Sequence, residues 1–509
     1  MDYIFFNGKI YNNYNIESVL VKGEDIAYTG SLFESKKRAN NPVLIDLKGK
    51  LLLPALTDAH THFVETAKHL LTLNVLDCYT ADIFYQKLCN YRDNQQHNLP
   101  WITGYGWEKK YFQRFPEINK SMLDKVFPDI PVSIASKDLH ANLCNTKALQ
   151  VAGISASKSY DGVVLGKTAD GQLNGFLYEQ SWTLLAQFIP KLDTCLQQKL
   201  IKQLVEKSWE FGLCGTHSFE DLNSAILAKH ISEQLPFYFT WYYLDQRDKC
   251  NFLTESKRFL NGGIKLFSDG SMGSDTAWMF EKDNHKDIDQ QLSEIENTIN
   301  KADEQAIQVA VHAIGDLAVN RIAQIFKETY QNSKTQIQHR IEHLQAVRPE
   351  DMKLLKQANI HASMQLIHLK DDIAMIKEKW QQAQHYAFPL KSINDNKINL
   401  ALGSDSPVET MNPFCGMYSA LFRKQDNQTL DETFLPKECL DIKQVIDAYA
   451  VNHFRVANKN IRYGKFMVGL KANLIIVQDF LANPNDILLD TKPVFTMIDG
   501  QVVYSQNNI

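Results

Sequence analysis

The spacing of apolar and polar residues changes along this chain and divides it into two short ends and a long middle. Near both ends, apolar residues alternate with polar ones in short runs. Residue pairs typical of turns, such as Asn7-Gly8 and Asp499-Gly500, separate these runs. This alternation is typical of short, half-buried β-strands. The strands that it predicts are Tyr3–Asn7, Lys9–Tyr11, Ser18–Lys22, Asp25–Gly30 and Val43–Asp46 near the start, and Asn473–Gln478, Val494–Ile498 and Val502–Tyr504 near the end. We therefore predict a small β-sandwich built from residues 1–52 and 460–509.

The middle of the chain alternates strand-like apolar runs with segments of helical spacing. Leucines recur at that spacing in Thr194–Phe211, and Gly212 ends the predicted helix. The strands predicted after it are Leu213–Phe219, Phe237–Tyr243, Gly263–Phe267, Ile307–His312, Thr335–Ile341, Ile360–Met364 and Lys397–Gly403, and the helices lie near Asp287–Glu304, Leu317–Tyr330, Pro349–Gln357 and Asp371–Gln384. With the apolar run Leu51–Leu56 the strands suffice for one closed α/β structure, a (β/α)₈ TIM barrel over residues 53–459. Residues from about 77 to 189 do not follow this alternation, and we expect them to form an insertion over the mouth of the barrel.

Side chains of metal-binding type follow five of the predicted barrel strands. In chain order they are His60 and His62, then Lys265, His312, His343 and Asp405. Enzymes of this fold place their chemistry at the carboxyl ends of the strands, so these side chains should meet. Residues two apart in a strand share a face, so both imidazoles of the first pair can point at one ion. Taken alone, the first pair fits solvated histidines at a strand end about equally well, and His312 or His343 fits a core histidine better, but the ordered set favours a metal site.

Lys265 and Asp405 differ from the histidines of the set in the chemistry that they can perform. Lys265 carries an ammonium, which a divalent cation repels, so it either points away or is modified into an anion. A carboxylated lysine would be a good bridge between two ions. Asp405 can bind metal and also accept a proton from an attacking water molecule. Its alternative role is that of a helix cap before Pro407.

Composition limits the class of protein and its partners. The chain has 509 residues and a formal net charge of −5, which gives no reason to expect a nucleic-acid partner. It shows neither a secretory signal at its start nor an apolar run of membrane-spanning length, so we expect no membrane partner. The eight cysteines form no Cys-x-x-Cys pair and are expected to be reduced, which favours a cytoplasmic protein. The sequence leaves a homodimer open.

Eight segments spread over nearly the whole chain resemble one family. They are Leu53–His62, Gly104–Trp107, Asp138–Leu149, Gly175–Glu179, Lys265–Ser271, Val311–Asp316, Ile341–His343 and Gly403–Val408. As a set they resemble the amidohydrolase superfamily and, within it, amidohydrolase family 3, the YtcJ-like group related to N-substituted formamide deformylases. The chain departs from that pattern at Gln365-Leu366-Ile367-His368, where such proteins often have Gln-Pro-x-His, and at Lys471-Ala472-Asn473, where they often have Lys-x-Ala-Asp.

The resemblance implies a barrel with a terminal sandwich and a site that holds one or two divalent ions. Zinc is the expected metal, with iron or manganese as alternatives. The implied metal ligands are His60, His62, His312, His343 and Asp405, and Lys265 stands where superfamily members carry a carboxylated lysine. The implied reaction is hydrolysis of a carbon–nitrogen bond.

We therefore predict a hydrolase that cleaves a non-peptide, amide-like bond in a small molecule, with Asp405 and His343 as its catalytic residues. Trp107, His140 and Glu179 are candidate substrate-binding residues, because loops over a rigid scaffold often carry binding groups. Their alternative roles are a packed aromatic, a surface histidine and a helix-start glutamate. Two other functions stay open: deamination of a ring amidine, and metal binding or sensing without catalysis.

Overall fold

The computed structural model describes residues 1–12, 15–94, 99–108, 112, 114–136, 141–179, 181–244, 252–282, 288–424 and 433–506. Its strands, numbered β1 to β23 in chain order, are Asp2–Phe6, Lys9–Ile10, Ser18–Lys22, Asp25–Gly30, Val43–Asp46, Leu51–Pro54, Leu56–Thr61, Leu73–Asn74, Ile102–Trp107, Val132–Ser136, Ala141–Cys144, Val163–Lys167, Leu173–Glu179, Leu213–Glu220, Tyr238–Tyr243, Phe259–Phe267, Val309–Ala313, Arg340–His343, His361–Met364, Asn399–Leu402, Leu474–Val477, Phe495–Ile498 and Gln501–Ser505.

The α-helices of the described chain are Leu32–Arg38, Phe63–His69, Ala81–Asp93, Lys120–Val126, Thr146–Val151, Ser181–Ala186, Thr194–Glu210, Leu222–Gln234, Ile288–Glu304, Asp316–Asn332, Met352–Gln357, Leu369–Lys379, Leu390–Asp395, Pro413–Phe422, Ile442–Ala450, Asn452–Val456 and Pro484–Ile487. Short 3₁₀ helices occupy Pro349–Asp351, Leu366–His368, Ala383–His385, Pro436–Glu438 and Leu488–Asp490. None of the helices in the described ranges is long and apolar enough to cross a membrane.

Eight parallel strands form the barrel. They are β7 and β14 to β20, and each pairs in parallel with the next. The two edge strands also meet, because Thr61 forms a parallel bridge with Ser406 and the Asp405 N–H donates to the His60 carbonyl at 2.7 Å. Helices follow most of the strands, which explains why β7, β14 and β15 are buried on both faces. The predicted (β/α)₈ barrel is confirmed.

Two further sheets, built from the ends of the chain, form the sandwich. One sheet has the order β4-β3-β1-β5, and the other has the order β2-β6-β21-β22-β23. In the second sheet β21 lies antiparallel to β6, so the end of the chain pairs with its beginning. Phe5 of the first sheet packs edge-on against Phe495 of the second, with ring centroids 5.8 Å apart. These sheets agree with the predicted sandwich.

Two predicted elements differ from the structure. The apolar run Leu51–Leu56, expected as one strand before His60, is divided: β6 joins the sandwich, and β7 joins the barrel and contains His60. The strand predicted over Thr335–Ile341 begins only at Arg340. Its first residues form a turn instead, since the Gln336 N–H donates to Ser333 Oγ and the Thr335 hydroxyl donates to Asp303.

A second compact unit spans Ala67–Leu200, and the barrel and sandwich belong to a unit formed by Met1–Thr66 and Ile201–Ile509. The second unit contains a six-stranded sheet of order β12-β13-β11-β10-β9-β8. Its apolar core includes Phe84, Leu123 and Leu143. The domain limits predicted from the sequence, and the expected cover over the mouth, stay predictions.

Candidate metal centre

The first and last barrel strands bring three side chains of the predicted set together. The Nε2 atom of His60 lies 3.4 Å from Oδ1 of Asp405, and Nε2 of His62 lies 3.3 Å from the same oxygen. These three ligand atoms all lie within 4.8 Å of one another. The His60 side chain is buried, while His62 retains 29% of its side-chain exposure. The cluster thus has a buried side and a side that remains accessible.

The spacing of these atoms fits shared coordination of an ion. Zinc–nitrogen bonds of about 2.0–2.1 Å in a tetrahedral site place neighbouring ligand atoms roughly 3.3–3.4 Å apart. Direct N–H···O hydrogen bonds are shorter, at about 2.7–3.2 Å. Imidazole nitrogen and carboxylate oxygen are also ligand types that a divalent transition metal accepts. The residues present therefore fit a divalent ion.

Local interactions between the two strands hold this arrangement. The Oδ1 atom of Asp58 accepts the N–H groups of His60, at 3.1 Å, and Ser404, at 2.9 Å. Gly403 allows the two segments to approach, because a Cβ atom there would lie 2.4 Å from the backbone nitrogen of His60. Asp405 itself has a positive φ of 61°, a backbone conformation that is costly for a residue with a side chain and that concentrates at functional sites. The orientation of this carboxylate therefore comes with a local cost in stability.

The buried ion pair of Arg340 and Glu342 supports the ring of His60. The Nδ1 atom of His60 lies 2.6 Å from Oε2 of Glu342, and neither side chain is exposed beyond 1%. Arg340 pairs with Glu342 and also donates to the Ala59 carbonyl at 2.5 Å and to Ser363 Oγ at 2.8 Å. A carboxylate on the far nitrogen of an imidazole fixes the tautomer and leaves the near nitrogen able to bind metal. Glu342 and Arg340 were not predicted from the sequence.

The second histidine of the pair is oriented by the neighbouring strand. The Nδ1 atom of His62 lies 2.9 Å from the carbonyl oxygen of Phe219, which requires the proton on Nδ1. Its Nε2 atom faces Asp405, and although burial lowers the pKa of His62, that carboxylate raises the pKa above its usual value. Nearby, the carboxylate of Glu220 accepts the N–H groups of Val64, at 3.0 Å, and Glu65, at 2.8 Å. These bonds fix the start of the helix that follows His62.

A second trio shares Asp405 with the first. It consists of His343, His368 and Asp405, and its three ligand atoms also lie within 4.8 Å of one another. The Nε2 atom of His368 lies 3.4 Å from Oδ2, the other oxygen of the Asp405 carboxylate. The sequence predicts His343 as a ligand, but it indicates His368 only as part of a departure from a family pattern. The signal that could have found it is the same as for the others, a histidine closely following a barrel strand.

His312 lies beside this trio but belongs to neither group. Its ring is 4.5 Å from that of His343, centroid to centroid, and its Nδ1 atom lies 3.0 Å from Oδ1 of Asp269. The Asp269 carboxylate also accepts the N–H groups of Ile314 and Gly315. Asp269 therefore holds both the His312 ring and the turn after β17.

Lys265 is buried at the same end of the barrel, on β16. Its ammonium lies 4.7 Å from the centroid of the Phe219 ring and 5.2 Å from that of Phe267. Within the described ranges no carboxylate lies near enough for an ion pair with it, although Glu342 and Asp405 act on it at longer range. Burial lowers the pKa of Lys265 to about 8, against the opposing effect of those two carboxylates. The amine is therefore more readily deprotonated than an ordinary lysine.

Comparisons with known proteins agree with this geometry. Residues 43–504 match the Amidohydro_3 model of the amidohydrolase family. The chain belongs to this family. It is 27% identical over 515 residues to YtcJ of Bacillus subtilis, a protein named as an amidohydrolase, with 96% of each chain covered. It is 21% identical to the N-substituted formamide deformylase of Arthrobacter pascens, over 96% of this chain and 95% of the relative.

A solved structure shows the same fold. An uncharacterized metal-dependent hydrolase from Pyrococcus horikoshii OT3 superposes with a TM-score of 0.77 at 22% identity, over 96% of this chain and 99% of the other. The family resemblance predicted from the sequence is confirmed. This amidohydrolase shares the fold of that structure, and its metal dependence and the roles of individual residues stay predictions.

The histidines of the amidohydrolase site differ in the direction of their pKa shifts. Burial lowers the pKa of His60 to about 4 and that of His343 well below its usual value, so both imidazoles are neutral. Burial alone would raise the pKa of Asp405, but His368 and His62 beside the carboxylate hold it well below its ordinary range. Burial lowers the pKa of His62 and that of His368, but Asp405 beside each ring raises both above the usual value. Neutral imidazole and ionised carboxylate are the forms that bind metal, so an ion would displace any proton that these two rings hold.

The three candidate substrate-binding residues have different placements. Trp107 is 1% exposed in the apolar core of the Ala67–Leu200 unit, and its indole N–H donates to the Ile134 carbonyl at 2.7 Å. Glu179 is exposed at the end of β13 and has a positive φ of 65°. His140 lies outside the described residues. This packing gives Trp107 a structural role, and substrate binding by all three stays a prediction.

Proposed function

We propose that this amidohydrolase cleaves a non-peptide, amide-like carbon–nitrogen bond in a small molecule, using a divalent ion held by His60, His62 and Asp405. The observation that carries the proposal is the spacing of 3.3 and 3.4 Å between the two imidazole nitrogens and one carboxylate oxygen. The similarity to an N-substituted formamide deformylase supports an amide-like bond as the target. Zinc is the proposed ion, with iron or manganese as the alternatives.

The ion would lower the pKa of a water molecule and polarise the substrate carbonyl. Asp405 is proposed as the general base, because its ionised carboxylate lies at the centre of both histidine groups. It takes the proton from the attacking water and later passes it to the leaving nitrogen. His343 is buried and neutral, and it is proposed to stabilise the negative charge that develops on the carbonyl oxygen.

A substrate panel tests the proposed reaction. Chelator-treated protein and protein reloaded with zinc, manganese or iron would be assayed on N-substituted formamides, N-acyl amines and ring amidines. We expect metal-dependent release of an amine from one of the amide classes. Release of ammonia from ring amidines alone would assign a deaminase instead. Specific metal binding without turnover of any class would favour a sensor.

We predict that protein purified without chelator carries one or two divalent ions for each chain. The reason is the set of imidazole and carboxylate ligand atoms, which are ligand types that zinc prefers. Elemental analysis measures the content directly. The variant His60→Ala removes one buried ligand and should lower the number of ions bound for each chain. A content near zero in the parent protein, with no activation by added zinc, manganese or iron, would contradict the prediction.

We predict that Lys265 becomes carboxylated when the metal centre is loaded. Its buried, weakly basic amine can attack carbon dioxide, which forms a nitrogen–carbon bond and releases one proton. The resulting carbamate is an anion, which the cation would attract rather than repel. Carbon-13 bicarbonate should give a carbamate NMR signal that Lys265→Ala abolishes and Lys282→Ala retains. An electron-density map with an unmodified ammonium pointing away from a loaded site would count against this prediction.

A further inference from the structure

We propose that one water molecule binds between His217 and His453, near the end of the barrel where its strands begin, and that it makes His217 a positioning residue for His60. The inference rests on the proposed function only in taking His60 as a metal ligand. The water site itself follows from the hydrogen bonding of two buried histidines. Part of the control over the metal centre would then lie inside the barrel, away from the mouth.

The two histidines meet where a short helix lies against the start of the barrel strands. The helix Asn452–Val456 carries His453, and its Val456 carbonyl accepts the side-chain N–H of Gln308 at 2.9 Å. Gln308 directly precedes the barrel strand β17. The ring centroid of His453 lies 5.8 Å from that of His217, and the two rings are inclined by 69°. Both residues are at most 2% exposed, so bulk solvent does not reach either ring.

The protonation of His217 follows from its contact with Arg340. The Nδ1 atom of His217 lies 2.8 Å from Nη1 of Arg340. A guanidinium group only donates hydrogen bonds, so Nδ1 accepts and is unprotonated. Burial and the neighbouring Arg340 cation lower the pKa of His217 well below its usual value, so the ring is neutral and carries its proton on Nε2. Among the described residues this Nε2–H group has no hydrogen-bond partner.

His453 has the opposite arrangement of donor and acceptor. Its ring forms a hydrogen bond with the Ala450 carbonyl, which can only accept, so the ring donates. The donor is Nδ1, because Nε2 has no partner in the described part of the chain. Burial lowers the pKa of His453 to about 3, and the bond to Ala450 opposes this only in part. The ring is therefore neutral, and its Nε2 atom is a free acceptor.

A water molecule matches this pair of groups. It can accept the Nε2–H of His217 and donate to Nε2 of His453, and buried water typically pairs with such polar groups. One water joins polar atoms up to about 6 Å apart, because each hydrogen bond is about 2.7–3.2 Å long. The centroid separation of 5.8 Å is compatible with that span. A metal ion does not suit the position, because the His217 nitrogen carries a proton and the Arg340 cation is close.

His217 is connected to the metal ligand His60 through an ion pair. The Nη2 atom of Arg340 lies 3.1 Å from Oε2 of Glu342, and the same oxygen lies 2.6 Å from Nδ1 of His60. The other tautomer of His217 would turn an N–H group toward Nη1 of Arg340 and repel the guanidinium. By accepting the Nε2–H, the water stabilises the tautomer that keeps Arg340 against Glu342. Glu342 in turn orients the ring of His60.

Crystals of the parent protein that diffract well enough to define ordered water test the site directly. We expect a water oxygen about 2.7–3.2 Å from both Nε2 atoms. NMR spectra of protein labelled with ¹⁵N-histidine add the tautomer. The His217 signals, identified by their loss in His217→Asn, should show a protonated Nε2 and an unprotonated Nδ1. A direct contact between the two rings, no density between them, or a protonated Nδ1 would overturn the proposal.

Zinc affinity, measured by competition with a chelator, tests the positioning role. His217→Leu removes the acceptor for Arg340 and should bind zinc at least about tenfold more weakly, since loss of an outer-shell partner typically costs about 10–100-fold. His217→Asn keeps an oxygen near the position of Nδ1 and should bind zinc almost as the parent does. His453→Leu should lose the water and also bind zinc more weakly. The matched control His230→Leu changes an exposed histidine on the helix Leu222–Gln234 and should keep the parent affinity.

Urea unfolding of the metal-free proteins separates positioning from stability. A purely structural role would lower the stability of His217→Leu and leave the zinc affinity of the folded variant unchanged, and that result would overturn the proposal. If His217→Leu does not fold, His453→Leu decides the same question, with parent affinity as the contradicting result. If the parent bound no divalent ion, the proposed function would fail, whereas the water position and the His217 tautomer would still decide this inference.

Discussion

Asp405→Asn is expected to lower kcat by about 10²–10⁴-fold on a validated substrate, the usual contribution of a general base. The amide keeps the shape of the carboxylate and can still offer one oxygen to an ion. It does not take up a proton near neutral pH, so it cannot serve as the base. The fold should survive, because the Asp405 side chain lies at the mouth of the barrel and retains 13% of its exposure.

The measurement must separate chemistry from ion loss. Turnover would therefore be divided by the ion content measured on the same sample, and KM would be determined alongside kcat. The matched control is Asp395→Asn, which removes an exposed carboxylate that pairs with Lys391 one helical turn away. That variant should keep the parent kcat. Near-normal turnover in Asp405→Asn at equal ion content would show that the assigned mechanism is wrong.

The sequence predicts the barrel because each strand can be found from its own run of apolar residues. Buried parallel strands need apolar runs on both faces, and these runs recur between segments of helical spacing. His60 and His62 could be paired from the sequence alone, since the two-residue period of a strand places them on one face. Asp405 joins them because β20 closes the barrel against β7, as strand order alone predicts. This part of the site depends only on periodicity and topology.

Other parts of the site depend on long-range geometry that no local pattern contains. Glu342 reaches His60 across 282 residues of sequence, and a buried glutamate beside an arginine gives no sign of that partner. His368 lies beyond the end of β19, and only the 3₁₀ turn decides where its ring points. The strand predicted at Thr335 fails for a different reason, since side chains of serine and threonine compete there for the backbone N–H groups.

Arg340→Met is expected to lower the free energy of unfolding of the metal-free protein by about 3–5 kcal/mol, the usual cost of breaking a buried ion pair. Arg340 and Glu342 are both 0% exposed, and the variant removes the positive charge beside the Glu342 carboxylate, which stays buried against the His60 ring. The urea dependence of tryptophan fluorescence measures the change. Lys391→Met breaks an exposed pair and should cost less than about 1 kcal/mol.

The double variant Arg340→Met with Glu342→Leu separates stability from orientation. Replacing a whole buried pair by apolar residues is often neutral, so the double variant should regain most of the lost free energy of unfolding. It should still bind zinc about 10–100-fold more weakly, because the His60 ring has lost the carboxylate that orients it. A double variant with parent stability and parent zinc affinity would show that the pair neither stabilises the barrel nor positions the ligand. Loss of zinc affinity without loss of stability would mean that this ion pair positions the metal ligand His60 and does not stabilise the fold.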